Sequence, residues 1–274
     1  MRASLLKPWR SSIGVPSVLH SSRFSDRPSA PGTRCRVGSI AAMLSQPGRC
    51  YRGSVPAPDR VIEAVRRGLA ETIRELCVLS RIPSISAPGY PPEDVERCAE
   101  AVADLLGRFG LEHVEIVRLP GAHPYVVGDW LHAGAERPTV LLYAHYDVQP
   151  PGRSERWKSP AFEPTERDGR LYGRGVVDDK AGLMVLAGAI RAWLDTEGAL
   201  PVNVRLVIEG EEEAGSTHLG EFLEGQRERL ASDVIVLTDT ANLEQGLPSL
   251  TTSLRGLVNV DVHVRALRAK LGAE

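Results

Sequence analysis

Residues 60–77 (RVIEAVRRGLAETIRELC) place apolar side chains at helical spacing with charges between them, which predicts an amphipathic helix. The same spacing predicts a second helix over 94–109, closed by Gly110. Between them, 81–92 is rich in Pro, Ser and Gly and is expected to be a loop. Short strands are expected over 113–118 and 125–129, and a buried one over 140–143. Residues 180–195 form a helical stretch apolar on most faces, hence a covered helix, broken by Gly198. A strand over 202–208, a helix over 217–230 and a strand over 234–237 follow. Strands alternating with helices predict an α/β fold, a sheet with helices on both faces. Residues 256–265 (GLVNVDVHVR) alternate like a half-exposed strand, and no partner strand follows in the sequence.

The first 50 residues lack this order. They hold eight Lys/Arg and one acid, Asp26, with many Ser, Pro and Gly and no sustained periodicity. Such a leader resembles an organelle transit peptide, or sequence read through from a start ahead of Met43. The expectation is a disordered or mis-called extension over 1–55, with the globular part starting near Pro56.

Composition narrows the class. A chain of 274 residues with 42% apolar and 25% charged residues suits a globular protein of one large or two small domains. A net charge of −2 gives no electrostatic footprint for nucleic acid or an anionic membrane, and no apolar run has the length of a bilayer span. Cys35, Cys50, Cys77 and Cys98 share no metal-like spacing, so free thiols in a reducing compartment, the cytoplasm, are expected.

Four clusters carry candidate chemistry, and three of them clearly end an apolar run: AHYD at 144–147, EGEEEAGS at 209–216 and LTD at 237–239, with VVDDK at 176–180 as the fourth. Ligands of open α/β sheets bind beyond the carboxyl ends of the strands, and carboxylates with imidazole hold divalent cations there. The pattern points to a metal site and to metal-assisted hydrolysis. Each cluster also admits a plainer role. His145 and Asp147 share one face of an extended segment and suit either a metal site or a structural strand-end pair. Asp178 and Asp179 precede a helix and suit an N-cap, although Gly173 and Gly175 suggest a tight backbone approach. Glu211, Glu212 and Glu213 suit a solvated acidic loop, or one ligand beside a general base. Asp239, at a buried strand's end, must be paired, hydrogen-bonded or metal-bound.

Together, LLYAHYDVQP (141–150), WKSPAFEPTERDGRLYGRGVVDDKAG (157–182), EGEEEAGS, VIVLTD and PSLTTSLRGLVNVDVHV (248–264) resemble the M20 metallopeptidase family, in its carnosinase-like dipeptidase branch, over about residues 60–264. The resemblance implies a zinc-peptidase-like catalytic domain with a mixed, mostly parallel sheet, and a pair of divalent cations, Zn or Mn. It implies that Asp178 bridges both ions, His145 and Asp239 complete one, and Glu213 binds the other. Glu212 would be the general base, Asp147 would support the ligands, and Glu211 would be a bystander. It also implies a cis bond between Asp178 and Asp179, small peptide substrates, and a homodimer for full-length relatives. N-acyl amino acid deacylation on the same fold is the neighbouring alternative.

Two parts of the family pattern have no counterpart in this sequence: an Asp-Leu-His-Ser-Gly stretch in a smaller lid domain, and a last metal-binding histidine. His263 lies on the alternating segment at the domain exit, and His218 is expected to serve packing. The expectation is therefore an incomplete catalytic domain over 56–253, the start of a truncated lid over 254–274, an incomplete second ion site, weak or absent turnover, and apolar sheet surface left uncovered. A non-catalytic fragment is the alternative that follows from the same departures.

Overall fold

The computed structural model describes residues 58–240 and, beyond them, 242, 249–251, 253, 254, 256 and 260–263, all within one compact unit, Gly48–Glu274. The extension over 1–55 and most of the segment over 256–265 lie outside the described residues. Gly256 and 260–263 themselves are not in a strand.

Helix α1 runs Asp59–Ser80 and α2 runs Pro92–Arg108. Gly110 follows α2 with φ +95, a left-handed stop that suits glycine. Strands β1 (Glu112–Val117), β2 (Tyr125–Trp130) and β3 (Thr139–His145) come next. A hairpin follows, β4 (Thr165–Arg167) and β5 (Arg170–Tyr172). Then come α3 (Lys180–Glu197), β6 (Asn203–Glu209), α4 (Leu219–Gly225) and β7 (Val234–Leu237).

The main sheet has the order β1-β2-β6-β3-β7. It is mixed: β3 is parallel to both β6 and β7, while β2 is antiparallel to β6 and β1 is antiparallel to β2. The parallel block β6-β3-β7 occupies one end of the sheet; β6 is apolar because both its faces are covered, whereas β7 is an edge strand that leaves Ile235 and Leu237 exposed. On one face, α1, α2 and α3 bury Leu79, Val102, Leu106 and Leu183 against Val126, Ala144, Leu206 and Ile208. On the other, α4 and the turn after it bury Phe222 and Leu230 against Tyr125, Val127, Leu141 and Val207. Phe222 stacks on Tyr125 with ring centroids 4.0 Å apart. Truncating such a ring to alanine costs about 3–5 kcal/mol.

Two elements depart from the sequence reading. The helix expected over 217–230 ends at Gly225, and Leu230 reaches the core through turns instead. Glycine at 220 and 225 makes a long helix costly, and burying Leu219 and Phe222 needs only two turns. The β4–β5 hairpin was not expected. Its turn is Asp168-Gly169, with φ +51 and +69, the pair that a type I′ turn demands.

The parallel register runs from Thr139↔Asn203 to His145↔Glu209, so β3 and β6 end together. Antiparallel β2 begins at that same rim, with Val126 opposite Ile208. The 81–92 loop joins the rim through a parallel bridge between Ile85 and Val148. No helix among the described residues is long and apolar enough to cross a membrane.

Candidate metal centre

Three chain segments deliver three donors to one point. His145 is the last residue of β3. Asp239 follows β7, and the Thr238 N–H and hydroxyl both donate to the Tyr143 carbonyl, at 3.1 and 3.2 Å, tying it to β3. Asp178 stands in the turn before α3, and its bond to Asp179 is cis. Gly175 shapes that turn at φ +77, where a Cβ would sit 2.8 Å from Val148. At Gly182, in the first turn of α3, a Cβ would collide with the Asp179 carboxylate and the Thr238 carbonyl. His145 Nε2 lies 3.2 Å from Asp178 Oδ1 and 3.8 Å from Asp239 Oδ2. The ligand atoms of His145, Asp178 and Asp239 all lie within 4.8 Å of one another.

Beneath them, Asp147 is fully buried and heavily hydrogen-bonded. Its Oδ1 accepts the Glu212 N–H at 3.2 Å, and its Oδ2 accepts the Glu213 N–H at 3.0 Å and the Ser86 hydroxyl at 2.6 Å. His145 Nδ1 lies 3.1 Å from the Asp147 carbonyl and 3.3 Å from Asp147 Oδ1. With Nδ1 engaged there, Nε2 is the ring nitrogen that faces Asp178 and Asp239. Asp179 occupies the N-cap position of α3 without capping it; its carboxylate instead accepts the His145 N–H at 3.2 Å. The N-cap role open in the sequence is therefore not what Asp179 performs.

The electrostatics favour an added cation. Burial alone would lower the His145 imidazole, but its hydrogen bond to Asp147 and the charges of Asp147, Asp179 and Asp239 raise it to about 10. Burial raises Asp239 and Glu212 above the usual carboxylate range, with nearby acids adding to it and His145 opposing. Burial likewise raises Asp179 to about 7. A site that holds a proton on imidazole to such a pH collects positive charge, and a divalent ion would displace that proton. One imidazole and two carboxylates suit a borderline or hard ion such as Zn or Mn. The residues present thus fit a cation.

Among the expected site residues, His145, Asp178 and Asp239 converge, Asp147 supports them, and Glu212 Oε2 stands 3.9 Å from His145 Nε2. Glu213 is not one of the three: its Oε2 accepts from Gln149 Nε2 at 2.8 Å. Glu211 has protein donors of its own. It is buried and accepts from the Tyr125 hydroxyl at 2.9 Å and the His218 N–H at 2.7 Å, with His218 Nδ1 at 3.0 Å. It anchors the loop that carries Glu212, and His218 serves that anchor rather than packing alone. Burial would raise the Glu211 carboxyl, but these donors lower it on balance. Ser86, Gln149 and Glu211 were not singled out for these roles. Only Glu211 left a signal, three adjacent acids after a central strand, where one must find donors.

Residues 141–266 match the model of peptidase family M20/M25/M40. The chain is 35% identical over 240 residues to the Beta-Ala-His dipeptidase of Homo sapiens, covering 81% of this chain and 47% of that protein. It is 30% identical to the Cys-Gly metallodipeptidase dug1 of Schizosaccharomyces pombe, over 78% of this chain and 47% of that one. The crystal structure of human carnosine dipeptidase 1 aligns with a TM-score of 0.60 at 32% identity, over 66% of this chain and 41% of that chain. The chain spans about half the length of the curated relatives it matches.

Proposed function

Because this chain belongs to peptidase family M20/M25/M40 through residues 141–266, we propose that it takes part in metal-dependent hydrolysis of dipeptides or short peptide amide bonds. The observation that carries this is the meeting of His145, Asp178 and Asp239 within 4.8 Å at the carboxyl ends of parallel strands. The names of two relatives, Beta-Ala-His dipeptidase and Cys-Gly metallodipeptidase, support the substrate class and the metal. Cys77 and Cys98 are free, which supports a reducing compartment, the cytoplasm.

In this reading His145, Asp178 and Asp239 would hold one divalent ion, and Asp178 and Glu213 would serve a second. When bound, such ions supply a lowered water pKa and a polarised substrate carbonyl. Glu212 is the general base. Its carboxylate is half-buried beside His145, and burial raises its proton affinity toward the range a base needs. It takes a proton from the attacking water and delivers it to the leaving amine. Asp147 fixes the backbone of Glu212 and Glu213 and orients the His145 ring.

The test is hydrolysis of β-Ala-His and Cys-Gly by the full chain loaded with Zn or Mn. Turnover lost to a chelator and restored by the metal supports the reading; metal binding without turnover favours a second one. That second reading is an ion-binding domain without catalysis, and the hydrogen bond by which Gln149 Nε2 engages the Glu213 carboxylate at 2.8 Å favours it.

A further inference from the structure

Two buried serines stand two residues apart on the 81–92 loop and spend their hydroxyls differently. Ser84 Oγ donates to the Tyr146 carbonyl at 2.7 Å, and Ser86 Oγ donates to Asp147 Oδ2 at 2.6 Å. We propose that Ser86 is a positioning residue of the metal centre, fixing Asp147 and through it His145, Glu212 and Glu213. This rests on the reading that the rim binds a divalent cation.

The case lies in who surrounds Asp147. Four groups approach its carboxylate: the N–H groups of Glu212 and Glu213, the His145 ring, and the Ser86 hydroxyl. The first three belong to the parts being positioned. Ser86 alone of the four comes from a different segment of the scaffold, and that segment is clamped. Ile85 bridges Val148, the Val148 N–H donates to the Ser84 carbonyl at 2.9 Å, and His123 Nε2 lies 3.2 Å from the Ser86 carbonyl. Just upstream, the buried Lys180 ammonium donates to the Leu79 and Ile82 carbonyls, both at 2.9 Å, tying the loop to the turn that carries Asp178. Ser86 therefore gives Asp147 a fixed reference outside the groups that Asp147 positions. A partner that orients a ligand in this way typically changes metal affinity about 10–100-fold when lost.

Ser84 supplies the control, because its hydroxyl is equally buried but bonds to main chain. Calorimetric titration of the full chain with Zn or Mn, beside thermal melting, separates the roles. Ser86→Ala and Ser84→Ala are expected to lower the melting temperature to similar extents. Only Ser86→Ala is expected to weaken metal binding, by about 10–100-fold, and Ser86→Thr, which keeps the hydroxyl, is expected to restore it. Should Ser86→Ala fail to fold, Ser86→Cys keeps the volume with a weaker donor and, titrated with Mn, for which a thiol is a poor ligand, is expected to weaken metal binding in the same direction. Wild-type affinity in Ser86→Ala, or in Ser86→Cys where the alanine variant does not fold, overturns the proposal, as does equal weakening by Ser84→Ala. A wild-type chain that binds no metal overturns the reading beneath it, and the proposal with it.

Discussion

Two clusters of histidine and carboxylate share the loop after β6, and they are built to opposite ends. Around Glu211, donors outnumber charges: a tyrosine hydroxyl, a backbone N–H and the His218 ring all serve one buried carboxylate, and together they lower it. Around His145, acids outnumber donors: Asp178, Asp239 and Glu212 crowd one imidazole, and Asp239 and Glu212 are raised. The first cluster is already satisfied and has nothing to offer a cation. The second has carboxylate oxygens to spare and a need for positive charge. Residue type alone does not mark a metal site; the balance of donors against acids does.

That contrast can be broken most sharply at Glu212. Glu212→Gln is expected to lower kcat by about 10²–10⁴-fold while metal content, measured by elemental analysis, stays intact. Loss of metal instead would mean Glu212 is a ligand. Next, His145→Ala and Glu211→Ala should separate binding from folding. His145→Ala is expected to abolish metal binding in calorimetry. Glu211→Ala is expected to keep it, while chemical denaturation shows a loss of about 1.5–3 kcal/mol from unpaired buried donors. The reverse pattern would exchange the roles of the clusters. Chelation probes the same difference from outside. An ion present at about 100 times its Kd stabilises the fold by about 2.7 kcal/mol, so EDTA should lower the melting temperature of the wild type and leave His145→Ala unmoved.

A third pair marks the exposed limit. His113 Nδ1 lies 2.8 Å from Asp129 Oδ1 at the surface, and the hydrogen bond and charge of Asp129 raise the imidazole. A raised folded value means its stabilisation is present below the unfolded value of 6.5 and is lost as pH rises through the folded one. Asp129→Asn should remove this small pH dependence from melting curves between acidic and mildly alkaline pH, the least effect of the four.

What the sequence revealed follows from range. α1, α2, α3 and the strands of the parallel block repeat their apolar pattern over many residues, and their limits fall within a few residues of the expected ones. His145 and Asp239 were legible because each closes such a run. The β4–β5 hairpin was not, since its three-residue strands are largely exposed and leave only the Asp168-Gly169 turn as a sign. Ser86 was not legible either: its partner lies 61 residues away, and a hydroxyl reaching across a loop leaves no local pattern. The Asp179 carboxylate looked like a cap because sequence shows its place before α3 but not its turn toward β3.

The most direct test is an anomalous-difference map from crystals grown with zinc. A peak about 2.0–2.2 Å from His145 Nε2 and from carboxylate oxygens of Asp178 and Asp239 is the expected result. Zinc bound only at Glu211 and His218, or no zinc with those three side chains held apart, would contradict it.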